Sequence, residues 1–213
     1  MLVFFGSALP SMAMRVIAGN YRSRRLTAPD GMKTRPTSDR LRETLFNVLA
    51  PRIPGSVFAD LYAGSGANGI EALSRGAGKA IFVENASPAL AAIRANLTAL
   101  KIQEGIHIEA ITVAKALRRL TEFRHQADLV FLDPPYESKE EYARALELLG
   151  GDCRSFLAAA AMVVAEHHRK QPLMPQYGLL ERYRVLEQGD AALSFYRIPA
   201  TDEPGEEAAP ESS

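Results

Sequence analysis

The segment LVFLDPPY is an apolar run followed directly by an acid, two prolines and an aromatic residue. These are Asp133, Pro134, Pro135 and Tyr136. Each proline disfavours helical backbone in the residue before it, so the corner is stiff before a ligand arrives. Such a corner can present the Asp133 carboxylate and a proline carbonyl as fixed acceptors, with Tyr136 able to stack on a planar ring. We therefore predict that these four residues form a catalytic clamp, which aligns the poorly nucleophilic exocyclic amine of a nucleobase for methylation.

A glycine-rich loop follows a second apolar run, where Asp60 precedes Gly64, Gly66 and Gly69. Glycines allow tight turns and close approach of a ligand, and the helix start behind them offers unpaired N–H groups. Glu84 ends the next apolar run, where a carboxylate can accept both ribose hydroxyls of an adenosine-containing cofactor. The same glycine pattern fits a dinucleotide-binding enzyme, so an NAD(P)-dependent oxidoreductase is the alternative from another class.

Asp60 separates the two cofactor classes by its charge. An acid immediately before the glycines would repel the pyrophosphate of a dinucleotide. S-adenosylmethionine carries a sulfonium and an ammonium group and no phosphate, so the acid would attract it. S-adenosylmethionine is the predicted cofactor, with S-adenosylhomocysteine as its product. No metal is expected, because the four histidines lack metal-ligand spacing and a single cysteine excludes a cysteine-rich zinc site.

Short apolar runs alternate with helical stretches along most of the chain, and a final hairpin is predicted to turn at Gly189 and Asp190. This alternation predicts an α/β fold with a mostly parallel sheet and helices on both faces. Ligands of such sheets bind at the carboxyl ends of the strands. Asp133 should therefore face the same crevice as Gly64 and Glu84.

The net charge of zero hides a basic N-terminal segment and an acidic C-terminal tail. A basic patch indicates a polyanionic partner, whereas the acidic tail is typical of disorder. The apolar N-terminal stretch lacks a basic flank and is too short to span a bilayer, so we expect no membrane contact. The single cysteine fits a reducing compartment, so we expect a cytoplasmic protein. The predicted organisation is a disordered extension, a basic hairpin, the main domain and a disordered acidic tail, at residues 1–13, 14–36, 37–200 and 201–213.

Three segments together resemble the RsmD family of bacterial enzymes: MRVIAGNYRSRRLTAPDGMKTRPTSDRLRETLFNVL, DLYAGSGANGIEALSRGA and LVFLDPPY. The resemblance extends from about Met14 to Ile198. It implies a Rossmann-like class I methyltransferase fold with a seven-stranded sheet. It also implies transfer of a methyl group from S-adenosylmethionine to N2 of one guanine in 16S rRNA. The implied partner is the assembling small ribosomal subunit, on which the enzyme acts as a monomer.

Carried over by position, the resemblance implies a base clamp at Asp133 and Tyr136. The implied cofactor contacts are Asp60, Tyr62, Gly64, Ser65, Gly66, Glu84 and Thr112. Thr112 stands where related enzymes often carry an acid or amide for the adenine ring, which is a departure from the family pattern. The residues expected to neutralise RNA phosphates are Arg15, Arg22, Arg24, Arg25, Arg35, Arg40 and Arg42.

Two alternatives share much of this pattern. An adenine-N6 methyltransferase acting on DNA or RNA would use the same clamp, and only the target base distinguishes it. An RNA-binding or assembly factor with a vestigial pocket is the other alternative, although the intact Asp133 and glycines argue against it.

Overall fold

The computed structural model describes residues 14–29, 36–135 and 139–200, with residues 36–39 and 139 described by their backbone alone. Within these residues the chain forms five α-helices and one sheet of eight strands. The helices are α1 Pro36–Leu49, α2 Ala67–Ser74, α3 Ser87–Ala99, α4 Val113–Glu122 and α5 Lys139–Gly150. The strands are β1 Val57–Leu61, β2 Lys79–Val83, β3 Ile106–Glu109, β4 Ala127–Leu132, β5 Leu157–His168, β6 Gln176–Tyr177, β7 Leu180–Gln188 and β8 Ala191–Arg197.

The strand order of the sheet is β3-β2-β1-β4-β5-β8-β7-β6. Neighbours among β1 to β5 are parallel, whereas β8, β7 and β6 pair antiparallel. The predicted mostly parallel sheet and the hairpin turn at Gly189 and Asp190 are confirmed. The resemblance implied seven strands, and the described residues contain an eighth, the two-residue β6. It pairs only with the start of β7, so it extends the edge and leaves the order of the other seven strands intact.

Helices cover both faces of the sheet, as predicted. In β1, Phe58 packs beneath α1, while Ala59 and Leu61 on the opposite face pack against α4 and α5. Successive side chains of a strand point to opposite faces, so a strand covered on both sides needs an almost continuous apolar run. Asp60 interrupts that run and is nevertheless buried.

The basic N-terminal segment forms a tight hairpin in residues 14–29. Arg15 and Arg25 make an antiparallel bridge, and the Val16 N–H donates to the Arg24 carbonyl oxygen at 2.9 Å. Val16 and Leu26 are buried in a cluster shared with α2 and α3. The hairpin thus shares the core of the main domain.

Parts of the predicted organisation lie outside the described residues. These are both segments predicted to be disordered, residues 1–13 and 201–213, and the end of the basic segment, residues 30–35. In the part of the chain that the structure describes, no helix has the length and apolar character needed to cross a membrane.

Candidate functional site

Four predicted site residues lie at one edge of the sheet. Asp60 and Glu84 lie at the carboxyl ends of β1 and β2, Gly64 follows β1, and Asp133 follows β4. β1 pairs with β2 on one side and with β4 on the other, because the chain crosses the sheet between β3 and β4. Open α/β sheets bind their ligands at such a reversal of strand order.

This edge has two rims, one on each side of the boundary between β1 and β4. The glycine rim comprises Asp60, residues 62–69 and Glu84. The clamp rim comprises residues 133–135 and Glu166, which lies near the carboxyl end of β5. A ligand seated at the edge would contact both rims.

The loop of the glycine rim turns through left-handed backbone three times. Tyr62, Gly64 and Gly66 have φ angles of 68°, 55° and 78°. Glycine adopts this conformation without strain, whereas Tyr62 does so at a cost of about 1–3 kcal/mol. Gly69 has a different role, because a Cβ there would lie 2.3 Å from Cε1 of Phe82. The first two glycines therefore permit the turn, and the third permits close packing of α2 on β2.

Asp60 lies beneath this loop and is 1% exposed. Its Oδ2 accepts a hydrogen bond from the Gly69 N–H at 3.1 Å, which holds the first turn of α2. Burial raises the pKa of the Asp60 carboxyl from 3.8 to about 8, although the hydrogen bond from Gly69 opposes this shift. The Glu84 carboxylate raises this pKa further, and the Arg42 guanidinium lowers it. Asp60 is thus a buried acid at the base of the crevice, close to charges of both signs.

Glu84 connects the glycine loop to the segment that follows β2. Its Oε2 accepts from the Gly64 N–H at 2.9 Å, and its Oε1 accepts from the N–H groups of Asn85 and Ala86, both at 2.8 Å. A carboxylate has about four acceptor positions. These three backbone bonds fix the carboxylate at the edge of the crevice and leave it capacity for a ligand hydroxyl.

The other predicted cofactor contacts have different surroundings. The Tyr62 hydroxyl donates to Oε2 of Glu141 at 2.9 Å, and burial raises the pKa of Tyr62 above its ordinary value. Ser65 is buried, and its hydroxyl lies 3.1 Å from the sulfur of Met14. Thr112 is exposed at the N-terminus of α4, after β3. All three are at the same edge of the sheet, but the Ser65 hydroxyl is engaged by Met14.

The clamp rim begins with Asp133, which is partly exposed, and Pro134, which is buried. The buried Tyr142 hydroxyl lies 2.8 Å from the carbonyl oxygen of Glu166 and 3.3 Å from that of Pro134. This hydroxyl connects the backbones that follow β4 and end β5. Pro135 is exposed, and Tyr136 lies outside the described residues.

Asp133 has acids as its electrostatic neighbours. Burial raises the pKa of its carboxyl well above the ordinary 3.8, and the charges of Glu166 and Asp60 raise it further. Strongly perturbed acids in a crevice are characteristic of functional sites. Hydrogen-bond donors or positive charge entering the crevice would stabilise the ionised form of Asp133.

Asn96 is a buried polar residue that the sequence analysis did not identify. Its amide nitrogen donates to the carbonyl oxygens of Thr27 and Ser65, and its Oδ1 accepts from the Thr27 N–H at 2.7 Å. One side chain thereby connects the N-terminal hairpin to the glycine loop. Its sequence signal was a polar residue on the apolar face of α3, between Ile93 and Leu97.

Glu71 and Ser74 of α2 hold the other side of the hairpin. The fully buried Glu71 carboxylate accepts from the N–H groups of Ile17 and Ala18 at 2.7 and 3.0 Å. The Ser74 hydroxyl accepts from the Tyr21 N–H at 3.0 Å. The basic hairpin is therefore fixed relative to the helix that begins at the glycine loop.

The arginines predicted to bind RNA fall into two groups. Arg42 is 7% exposed, and its Nη2 donates to the Arg15 carbonyl oxygen at 2.7 Å, which does not fit the surface role expected of it. Its charge had placed it in the phosphate-binding patch, but packing of α1 against the hairpin buries it. Arg35 lies outside the described residues. The exposed group is Arg15, Arg22, Arg24, Arg25 and Arg40.

Among the described residues, no group of three or more histidine, cysteine, aspartate or glutamate side chains could hold a metal ion.

Known proteins match this chain over most of its length. The profile of the family described as "Conserved hypothetical protein 95" matches residues 14–197. The Bacillus subtilis protein YlbH, provisionally named as an rRNA methyltransferase, is 37% identical over 86% of this chain and 98% of its own. The ribosomal RNA small subunit methyltransferase D of Escherichia coli is 35% identical over 89% of this chain and 92% of its own.

The fold has a matching solved structure. The Escherichia coli protein yhhF, provisionally described as a methyltransferase, has a TM-score of 0.73 at 31% identity, covering 89% of this chain and 99% of yhhF. The class I methyltransferase fold implied by the sequence is thereby confirmed.

Proposed function

The chain belongs to the RsmD family, and we propose that it is an S-adenosylmethionine-dependent methyltransferase of ribosomal RNA. Its proposed target is the exocyclic N2 amine of one guanine in 16S rRNA, of the type at position 966. The proposed substrate is the small ribosomal subunit during assembly, and the enzyme acts on it as a monomer in the cytoplasm. The names of the curated relatives support the ribosomal RNA substrate.

One observation carries this proposal: the glycine rim and the clamp rim meet at the same edge of the sheet, across the β1–β4 boundary. A methyl donor and a methyl acceptor must meet in line, and alignment alone can be worth about 7–11 kcal/mol of the barrier. An acid-lined corner facing a glycine loop suits this task. An NAD(P)-dependent oxidoreductase would share the loop but leave the clamp without a role.

The glycine rim fits an adenosine-containing cofactor. Glu84 is held by three backbone N–H groups and retains capacity to accept from a ribose hydroxyl. The left-handed turns at Gly64 and Gly66 fold the loop backbone tightly at this edge of the crevice. Asp60 adds a buried carboxyl group whose ionised form a positively charged ligand would stabilise. S-adenosylmethionine would supply a methyl group on a positively charged sulfur.

The clamp rim fits the amine. The lone pair of the guanine N2 amine is delocalised into the ring, so the nitrogen is a weak nucleophile until its N–H bonds are held. The Asp133 carboxylate would accept one N–H and direct the lone pair toward the methyl carbon. After transfer the nitrogen must lose one proton, and an acid with a raised pKa such as Asp133 can receive it.

The exposed arginines of the hairpin would position the RNA. Arg22, Arg24 and Arg25 lie on a segment fixed to α2 by Glu71 and Ser74. Phosphate contacts at such a surface supply affinity and orientation, while the clamp selects the base. Arg42 instead supports this surface from beneath, through the Arg15 carbonyl group.

Labelled methyl transfer to small subunits that lack the modification tests the proposal. The subunits are incubated with the protein and isotopically labelled S-adenosylmethionine, and their nucleosides are analysed by mass spectrometry. We expect label in N2-methylguanosine at one position of 16S rRNA. Label in N6-methyladenosine would favour the adenine enzyme, and absence of label together with RNA binding would favour the assembly factor. Tight NAD binding with weak S-adenosylhomocysteine binding would favour the oxidoreductase.

A further inference from the structure

Glu166 was not among the residues predicted for the site, and it lies beside Asp133. β4 and β5 are parallel and pair Leu132 with Ala165, so the next residues on the two strands, Asp133 and Glu166, are neighbours. Paired positions of adjacent strands are separated by about 4.8 Å. Two carboxyl groups therefore project from the clamp rim at the spacing of neighbouring strands.

Strand alternation places both acids on the same face of the sheet. Phe131 and Val164 pack in the cluster beneath α1, and Asp133 and Glu166 each follow two positions later. The charge of Glu166 is among the causes that raise the pKa of Asp133, which independently indicates that the two carboxyl groups are close. The pair is therefore adjacent both in register and electrostatically.

The backbones that carry these acids are held together from behind. The Tyr142 hydroxyl lies 2.8 Å from the Glu166 carbonyl oxygen and 3.3 Å from the Pro134 carbonyl oxygen, and Tyr142 is 4% exposed. A buried hydroxyl shared by both segments fixes their separation. The structure thus presents a preorganised pair of acceptors.

Guanine has the complementary edge. Its N1–H and its N2 amine are adjacent donors on the Watson–Crick edge, which is the edge that enzymes read on a flipped base. Adenine offers its N6 amine beside an N1 lone pair. Two adjacent carboxylates can each accept one hydrogen from guanine, whereas with adenine one carboxylate would face the N1 lone pair, so two electron-rich groups would repel each other where guanine offers a hydrogen bond.

Resting on the function proposed above, we propose that Glu166 is a specificity-determining residue that accepts the N1–H of the target guanine. Asp133 accepts an N–H of the N2 amine of the same base. Glu166 therefore selects guanine by the hydrogen on N1, and Asp133 aligns the nitrogen that is methylated. The two acids divide recognition and alignment between them.

The experiment compares guanine with 2-aminopurine, which keeps an amine at position 2 but has a lone pair at N1. Small subunits are reconstituted with ligated 16S rRNA that carries either base at the mapped target, and kcat/KM for methyl transfer is measured. We expect the wild-type protein to prefer guanine on the order of 10–100-fold, because a hydrogen bond to a charged group is lost with 2-aminopurine.

The variant Glu166→Gln should reduce this preference to about threefold or less, because an amide can donate to the N1 lone pair as well as accept from N1–H. Each preparation is measured on both substrates, so the ratio does not depend on the fraction of folded protein. Glu181→Gln, at an exposed position of β7 that pairs with Arg197 at the far end of β8, should retain the wild-type ratio.

Three results would overturn the inference. The first is a wild-type protein that methylates both bases equally, and the second is Glu166→Gln with the full wild-type preference. In both cases guanine is still methylated, so the proposed function stands while the role of Glu166 does not. The third is a wild-type protein that methylates no guanine, which removes the proposed function and this inference with it.

Discussion

On the glycine rim, Asp60 and Glu84 accept hydrogen bonds from four backbone N–H groups, whereas on the clamp rim Asp133 has Glu166 and Asp60 as electrostatic neighbours. The acids of the first rim stabilise the glycine loop and the segment that follows β2. Burial and the charges of Glu166 and Asp60 raise the pKa of Asp133, and hydrogen-bond donors of a ligand would lower it again. The acids of the glycine rim thus maintain the conformation of the loop, whereas those of the clamp rim are suited to accept hydrogen bonds from a substrate.

The two rims also differ in the hydrogen bonds that support them. The glycine rim is bonded through Asn96 to the N-terminal hairpin, and through Glu71 the same hairpin is bonded to α2. The clamp rim is supported by the Tyr142 hydroxyl. Substitutions on the two rims should therefore separate cofactor binding from methyl transfer.

The largest expected effect is that of Asp133→Ala on the clamp rim. Loss of the acceptor should lower kcat for methyl transfer by about 10²–10⁴-fold, while S-adenosylhomocysteine affinity changes by less than about threefold. Single-turnover transfer to unmodified small subunits and calorimetric titration measure the two quantities. Asp152→Ala, at an exposed position beyond α5, is the control. Unchanged turnover would remove Asp133 from the mechanism.

The next effect concerns the hairpin that supports the glycine rim. Replacing Arg22, Arg24 and Arg25 together with alanine should weaken binding to small subunits and reduce the slope of log K against log salt by about 2–3. The salt dependence of equilibrium binding between 50 and 200 mM salt measures it. Arg154→Ala, an exposed arginine before β5, serves as the control. A slope as steep as that of the wild type would place the RNA elsewhere.

A smaller effect is expected from Asn96→Ala. Three hydrogen bonds of the Asn96 side chain are lost: two that it donates to the carbonyl oxygens of Thr27 and Ser65, and one that it accepts from the Thr27 N–H. Leaving buried groups unsatisfied should cost about 1–3 kcal/mol of unfolding free energy. S-adenosylhomocysteine affinity should fall about tenfold, because the loop loses its support. Denaturant unfolding and calorimetry measure these effects.

Asn47→Ala, at an exposed position of α1, is the matched control for Asn96. If Asn96→Ala lost stability but bound the cofactor like the wild type, the hairpin would stabilise the domain without shaping the glycine rim. If the hairpin supports the glycine rim, the unfolding free energy and the S-adenosylhomocysteine affinity should both decrease.

The smallest effect, counted for one pH unit, is the pH dependence of stability caused by Asp60. The folded chain keeps this proton up to a pH of about 8, whereas the unfolded chain releases it near 3.8. Stability should therefore fall as the pH rises through this window, by at most about 1.4 kcal/mol per pH unit. Asp60→Asn, which still accepts from the Gly69 N–H, should lack this decrease.

Thermal unfolding of Asp60→Asn and the wild type at several pH values measures this prediction. The melting temperature of the variant should exceed that of the wild type, and the difference should increase from pH 5 to pH 8. Each 1 kcal/mol of difference in unfolding free energy corresponds to about 2–4 °C. Asp190→Asn, in the exposed β7–β8 turn, corrects for loss of one negative charge. A margin independent of pH would contradict a buried, protonated Asp60.

The sequence predicted the fold and one edge of the sheet well, because those depend on local patterns. Gly64, Glu84 and Asp133 each follow an apolar run, and a single topological rule brings the ends of parallel strands together. Glu166 carries the same signal at the end of β5 and could have been identified in the same way. The two-residue β6 is too short to have a pattern.

The supports of the site could not be predicted, because they depend on tertiary contacts between distant segments. Asn96 bonds to Thr27 across 69 positions, and Glu71 bonds to Ile17 across 54. The burial of Arg42 could not be predicted for the same reason, because charge alone cannot distinguish an exposed arginine from one buried beneath a hairpin. Only the docked hairpin determines which case applies.

A crystal structure of the protein with S-adenosylhomocysteine tests the central claim most directly. We predict that the ligand lies along the glycine rim, with a ribose hydroxyl within hydrogen-bonding distance of the Glu84 carboxylate and its sulfur facing Asp133 across the β1–β4 boundary. A ligand bound away from that boundary, or an Asp133 carboxylate separated from the sulfur by the sheet, would contradict a crevice shared by the two rims.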